Sequence, residues 1–262
     1  MSDAGFEFIP GRAALLISFP HSGVGIPEDI RRRLTPAALA LPDTDWHVPL
    51  LYDFYRELGA SVIIARHSRY VVDLNRPPDG APLYPGQTET SLCPVRTFAD
   101  EPIYRPGQAP GADEIQERIR VHWNPYHLKL AEVVETIRNH HGHCVLWDAH
   151  SIKSAVPAFF DGRLPDLNVG TADGASCSRS LSECVTRGLS AQTRFSSILN
   201  GRFKGGYITR HYGDPARGVN AIQLEIAQRA YMSEAAPQRF DPGTASHLKA
   251  VLHPLLAAVL KA

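Results

Sequence analysis

Short apolar runs without helical period alternate along this chain with stretches whose apolar residues recur at helical spacing. This alternation restricts the fold more than any other feature. Residues 13–19 form such a run and stop at Pro20, as a buried strand does. Val48, Leu51, Tyr55 and Leu58 then share a helical face ahead of Gly59, with Asp43, Thr44 or Asp45 placed to cap it. Strand-like runs follow at 61–65, 143–147, 167–169, 207–212 and 221–227, and helical patterns at 115–137, 178–189 and 244–260. Pro125 predicts a kink or break in the long helical stretch. The alternation implies an α/β sandwich, helices on both faces of a sheet, with ligands bound beyond the carboxyl ends of the strands. His21, just after Pro20, and His150, after Asp148-Ala149, are both expected there.

At 262 residues the chain can bury one sizeable core, and nothing in its composition marks a division, so residues 1–262 read as a single domain. Lys plus Arg and Asp plus Glu number 27 each, so no net field favours nucleic acid or an anionic membrane, and an anionic ligand must meet locally placed cations. The first ten residues carry Asp3 and Glu7 where a targeting segment would be basic, and no run approaches a membrane span, which implies a cytoplasmic protein. Cys93, Cys144, Cys177 and Cys184 form no CxxC pair and read as reduced. Glycine and proline are dense from residue 76 to 111, a long irregular segment suited to a lid or pocket wall. The sequence has no GxGxxG, Walker loop or GxSxG, so nucleotide-dependent and serine-hydrolase chemistry lack direct support.

A catalytic zinc takes three ligands from His and Asp or Glu and leaves one position open. His21, Asp45 and His150 form the best set, although no short spacer links them and Asp45 doubles as a helix cap, a role it can exchange with Asp43. Asp148 shares a strand face with His150 and can orient a ligand. In residues 221–227, Ile222, Leu224 and Ile226 occupy one face while Gln223 and Glu225 share the other. A carboxylate in an otherwise apolar strand must be paired, exposed or tuned for proton transfer. Arg66, Arg69, Asp73, Asn75 and Arg76 form one polar cluster, and Arg202, Lys204 and Arg210 a second, each able to grip a carboxylate or simply to lie solvated in a loop. His140, His141 and His143 follow a long helix, where imidazoles complement the helix C-terminus, and are set aside as ligands.

The segments Pro20-His21-Ser22-Gly23, Ser68-Arg69-Tyr70-Val71-Val72-Asp73-Leu74-Asn75-Arg76, Asp148-Ala149-His150-Ser151 and Gln223-Leu224-Glu225-Ile226, with the glycine-containing stretch 200–213, resemble the N-formylglutamate amidohydrolase family. The resemblance covers nearly the whole chain in order. It implies a relative of zinc carboxypeptidases and aspartoacylases, a three-layer α/β/α sandwich around a mixed sheet with the metal at strand ends. By resemblance His21 and His150 match metal histidines, Glu225 the catalytic carboxylate, and Asn75 and Arg76 an Asn-Arg pair that binds a substrate carboxylate. Carboxypeptidases supply a Glu three residues after the first His; Val24 stands there, so Asp45 is assigned as third ligand.

The activity so implied is hydrolysis of N-formyl-L-glutamate to formate and glutamate, the last step of a histidine-degradation route. It uses one Zn²⁺, with other divalent metals also compatible. The substrate is a small dicarboxylate, neither nucleic acid nor membrane is a partner, and the oligomeric state is left open. Asn75 and Arg76 would hold one carboxylate, Arg202 with Tyr207 or His211 the other, and Arg69 or Arg202 would face the developing oxyanion. The alternatives are a zinc hydrolase of another N-acyl amino acid or small peptide, and a catalytically silent binding relative.

Overall fold

Side chains alternate between two faces along each strand, and both faces are apolar, which is why the sheet is covered twice. The computed structural model describes residues 5–83, 86 and 88–262; Tyr84, Pro85 and Gln87 of the irregular segment lie outside them. Seven strands are present among the described residues: β1 (Phe6–Ile9), β2 (Leu15–Phe19), β3 (Ser61–Ala65), β4 (Cys144–Ile152), β5 (Leu167–Gly170), β6 (Ser197–Leu199) and β7 (Val219–Ala227). They form one mixed sheet in the order β1-β3-β2-β4-β7-β5-β6. β3, β2, β4 and β7 run parallel, while β1 is antiparallel to β3 and β5 to β7.

The helices are α1 (Glu28–Arg31), α2 (Pro36–Leu39), α3 (Val48–Leu51), α4 (Ala112–Arg118), α5 (Asn124–His141), α6 (Arg179–Ser190), α7 (Tyr207–Tyr212) and α8 (Pro242–Val259). On one face, Leu15, Ile17, Trp147, Ile222 and Leu224 pack under α3, α6 and α8 through Leu51, Val185 and Leu252. On the other, Leu16, Ile63, Leu146 and Ala221 pack under α5 and α7 through Tyr126, Leu130, Val134 and Ile208. Fully burying one such aliphatic side chain stabilises the fold by roughly 1.5–3 kcal/mol. The α/β sandwich and the mixed sheet expected above are both present. No helix among the described residues is long and apolar enough to cross a membrane.

Three local expectations need correction. Residues 48–58 do not make one helix: α3 ends at Leu51 and a 3₁₀ turn, Asp53–Arg56, follows. His47 precedes α3 with no side-chain cap, so none of Asp43, Thr44 and Asp45 spends its side chain there. Residues 207–212 are helix, not strand, because the Ile208 N–H is captured by Asn75 Oδ1 at 2.8 Å, an end-capping bond made from 133 residues away. The break expected near Pro125 occurs as a π turn, Ile119–Trp123, in which the Asn124 N–H donates to the Ile119 carbonyl. Proline has no N–H to offer the fourth carbonyl back and its ring crowds that carbonyl; the wider turn absorbs both defects.

Candidate active site

The parallel strands β2, β4 and β7 bring their carboxyl ends to one side. His21 lies two residues past β2, whereas His150 sits inside β4, not past its end, paired in register with Glu225 of β7. Asp148 and Gln223 are the next pair back on the same face. That face is apolar at Cys144, Leu146, Val219 and Ala221 and turns polar only at its last rungs. The site is therefore the end of a core face, and all four polar side chains there are buried.

His21, Asp45 and His150 offer three ligand atoms within 4.8 Å of one another, all buried. Asp45 Oδ2 is 3.1 Å from His150 Nδ1 and 3.9 Å from His21 Nδ1. Ligands about 2.0–2.2 Å from a tetrahedral zinc stand roughly 3.3 Å apart, so these separations suit one ion. The other ring nitrogens are engaged: His21 Nε2 donates to Asp73 Oδ1 at 2.7 Å and His150 Nε2 to Asp148 Oδ2 at 2.9 Å. Each Nε2 thus has a carboxylate to hold its proton, and each Nδ1 faces Asp45, the carboxylate-histidine arrangement that metal sites use when a cation takes the place of the Nδ1 proton. Asp43, the other candidate, is occupied elsewhere, accepting from the Tyr70 hydroxyl and the Phe98 N–H.

The electrostatics agree with a site shaped for a cation. Burial lowers the pKa of His21, with Arg69 adding to it and Asp73 opposing. Burial also works against charge on His150, but Asp148 and Asp45 outweigh it and raise that pKa well above the usual histidine range, so here a proton answers the carboxylates. Burial opposes ionisation of Asp73, yet Arg69 and His21 hold its carboxyl well below the usual range. Glu225 is raised, first by burial and then by Asp45 and Asp148, with His150 and Arg69 opposing. A metal ion beside it would favour the carboxylate.

Other side chains hold these in place. Gln223 accepts from the Gly206 N–H at 2.7 Å and donates to Glu225 Oε2 at 3.1 Å, tying the glycine-containing segment to the carboxylate. Asn75 Nδ2 donates to Asp148 at 3.3 Å and touches His150 Nε2 at 3.0 Å while its Oδ1 caps α7. Arg69 donates to Asp73 at 2.6 Å; its Nε is buried with no hydrogen-bond partner among the described residues.

Above His21, Asp45 and His150 opens a cleft that includes Arg69, Asn75, Arg76, Arg202 and Glu225 in its lining. Arg76 is steadied by the Thr90 carbonyl and Arg202 by the carbonyls of Phe159 and Thr88. Tyr207 and His211 do not line it: they stack on each other at 4.8 Å, with Tyr207 against Trp123 and His127. Sequence reasoning missed the orienting role of Asp73, although it lies two residues before Asn75, and the bridging role of Gln223, although its strand face was legible. The walls Thr88, Glu89, Phe98, Phe159 and Phe203 carried no signal.

A parallel strand core with such a site at its carboxyl ends is the frame on which α/β proteins bind their ligands. The chain belongs to the N-formylglutamate amidohydrolase family, whose model matches residues 13–232. It is 48% identical over 258 residues to a protein of Pseudomonas putida named N-formylglutamate deformylase, covering 98% of this chain and 96% of that one. The protein of the same name from Pseudomonas aeruginosa is also 48% identical, over 98% of this chain and 97% of its own. The crystal structure of N-formylglutamate amidohydrolase from Ralstonia eutropha JMP134 superposes with a TM-score of 0.84 at 26% identity, covering 99% and 98% of the two chains. A gene product of Agrobacterium tumefaciens shares the fold, with a TM-score of 0.73 at 18% identity over 98% and 94% of the chains.

Proposed function

We propose that this chain hydrolyses N-formyl-L-glutamate to formate and L-glutamate, with one divalent ion, Zn²⁺ in this reading, held by His21, Asp45 and His150. The observation that carries the proposal is the convergence of that ligand set, a buried Glu225 and three arginines on one cleft, in a chain with near full-length likeness to named deformylases. The ion, when bound, supplies Lewis acidity that acidifies water and polarises a carbonyl oxygen. Glu225 takes the proton of the attacking water and returns it to the departing glutamate nitrogen. Asp73 and Asp148 fix the imidazole tautomers that leave Nδ1 free. Arg69, whose charge Asp73 and Asp45 secure, faces the negative charge that develops on the formyl oxygen, and its buried Nε is the spare donor. Arg76 and Arg202 take the two glutamate carboxylates, with Asn75 beside them; with Tyr207 and His211 turned away, they have no part in this reading.

A single cytoplasmic domain at the end of a histidine-degradation route belongs to the same reading. It is tested by incubating the zinc-loaded protein with N-formylglutamate, N-acetylaspartate and N-acetylglutamate, with and without a chelator. Formate released from the first alone, lost on chelation and restored by Zn²⁺, is the expected result. Turnover of another substrate in its place would assign a different N-acyl amino acid, and no turnover in a metal-loaded protein would assign a binding role.

A further inference from the structure

Residues 68–76 carry Arg69, Asp73, Asn75 and Arg76 in a loop with no ladder of its own, yet Asp73 sets the tautomer of His21 and Asn75 touches both Asp148 and His150. Something must hold that backbone, because a displaced loop would release both histidines. Leu92, Cys93 and Tyr104 each bond the loop once, and three further side-chain holders come from one helical stretch. Arg118 donates to the carbonyls of Tyr70 at 3.3 Å and Val71 at 2.9 Å, His127 Nε2 to that of Leu74 at 2.9 Å, and Trp123 Nε1 to that of Arg76 at 3.0 Å. The Asn75 carbonyl is taken by the Tyr207 N–H at 3.3 Å. Carbonyls 70, 71 and 74–76 are thus all engaged.

On a regular α-helix five residues advance about 500°, leaving Arg118 and Trp123 about 140° apart and unable to reach one loop. The π turn between them fits five residues into the advance that an α-helix makes in about four, which returns Trp123 to the Arg118 face; His127 follows four residues later on that same face. We propose that Arg118, Trp123 and His127 are positioning residues for the metal ligands. They act through backbone carbonyls of the 68–76 loop, and the π turn is the register shift that aligns them. This rests on the reading of His21, Asp45 and His150 as metal ligands.

The test uses full-length protein with cobalt(II) as the metal, read by its visible absorption and by competition with a chelator, so no turnover is needed. Trp123→Phe removes only the indole N–H, His127→Phe removes the imidazole donor, and His127→Gln restores a donor of similar reach. Tyr52→Phe is the control: it costs a buried bond of the same kind, Trp147 Nε1 to Tyr52 Oη at 3.0 Å, on the opposite side of the sheet. Trp123→Phe and His127→Phe should each weaken cobalt retention about tenfold and alter the absorption band, while His127→Gln and Tyr52→Phe stay within about twofold of wild type. Retention by Trp123→Phe and His127→Phe equal to Tyr52→Phe, or a His127→Gln as weak as His127→Phe, would overturn the inference. Wild-type protein that retains cobalt but leaves N-formylglutamate intact would remove the proposed reaction and leave the clamp standing.

Discussion

Replacing Asp73 by Asn changes one charge and almost no volume, so its consequence follows from hydrogen-bond bookkeeping. Oδ1 accepts from His21 Nε2 at 2.7 Å and from the Asn75 N–H at 2.9 Å, and Oδ2 from Arg69 Nη2 at 2.6 Å. The new amide must put its NH₂ at one of these two places. At Oδ1 it would confront two buried donors, at Oδ2 only one, so it turns toward Arg69. Arg69 is then a buried guanidinium, 7% exposed, that has lost its closest counter-charge. Breaking such a pair costs about 3–5 kcal/mol, and because Asp45 and Asp43 still act on Arg69 at longer range, the lower end, about 3 kcal/mol, is expected. Urea unfolding of metal-stripped protein, followed by tryptophan fluorescence, measures this free of metal linkage. His21 keeps its Nε2 proton but loses a charged acceptor, so metal affinity should fall a further 10- to 100-fold, to about the extent seen for such partners generally. A stability loss under about 1 kcal/mol would refute the assignment of Asp73 as the counter-charge of Arg69.

Further outcomes follow from the same geometry. Glu225→Gln should keep its metal and lose at least about 100-fold in kcat, checked by metal analysis beside formate release. Gly206→Ala should cost both activity and about 1–3 kcal/mol of stability, because a Cβ there would lie 2.3 Å from Asn75 Nδ2 and push that buried side chain off Asp148 and off its cap on α7; kinetics and urea unfolding on one preparation measure the two losses. Glu114 is held down to about 2, first by the Arg33 hydrogen bond, with burial opposing and Arg118 adding. Its contribution is full above its ordinary value of 4.5 and is lost as pH falls toward about 2, so Glu114→Gln should lose about 1 kcal/mol or less at pH 7 and show a flatter stability profile across that window.

The apolar runs made β2, β3, β4, β5 and β7 legible because burial on two faces leaves little else that such runs can do. The edge strands were not: β6 is exposed along its length and takes its pairing from β5, thirty residues earlier, a long-range bond with no local signature. Residues 207–212 read as strand from Tyr, Ile, Thr and Tyr, but a cap from Asn75 decided for helix, tertiary structure overriding propensity. His21, His150 and Glu225 were legible as polar residues at or near strand ends. Asp45 was separable from Asp43 only through what each meets in space, His150 for one and Tyr70 for the other. Tyr207 and His211 failed as cleft residues because a helix turns its side chains where a strand would not.

Strand β4 is shared property. Its odd residues Val145, Trp147 and Ala149 are wedged among the helices on one side, and its even residues Asp148 and His150 carry the site on the other. Moving the backbone at His150 would drag the fully buried Trp147 out of the core. Heat should therefore not disarm this protein gradually: the temperature at which function fails and the temperature at which the chain melts should coincide.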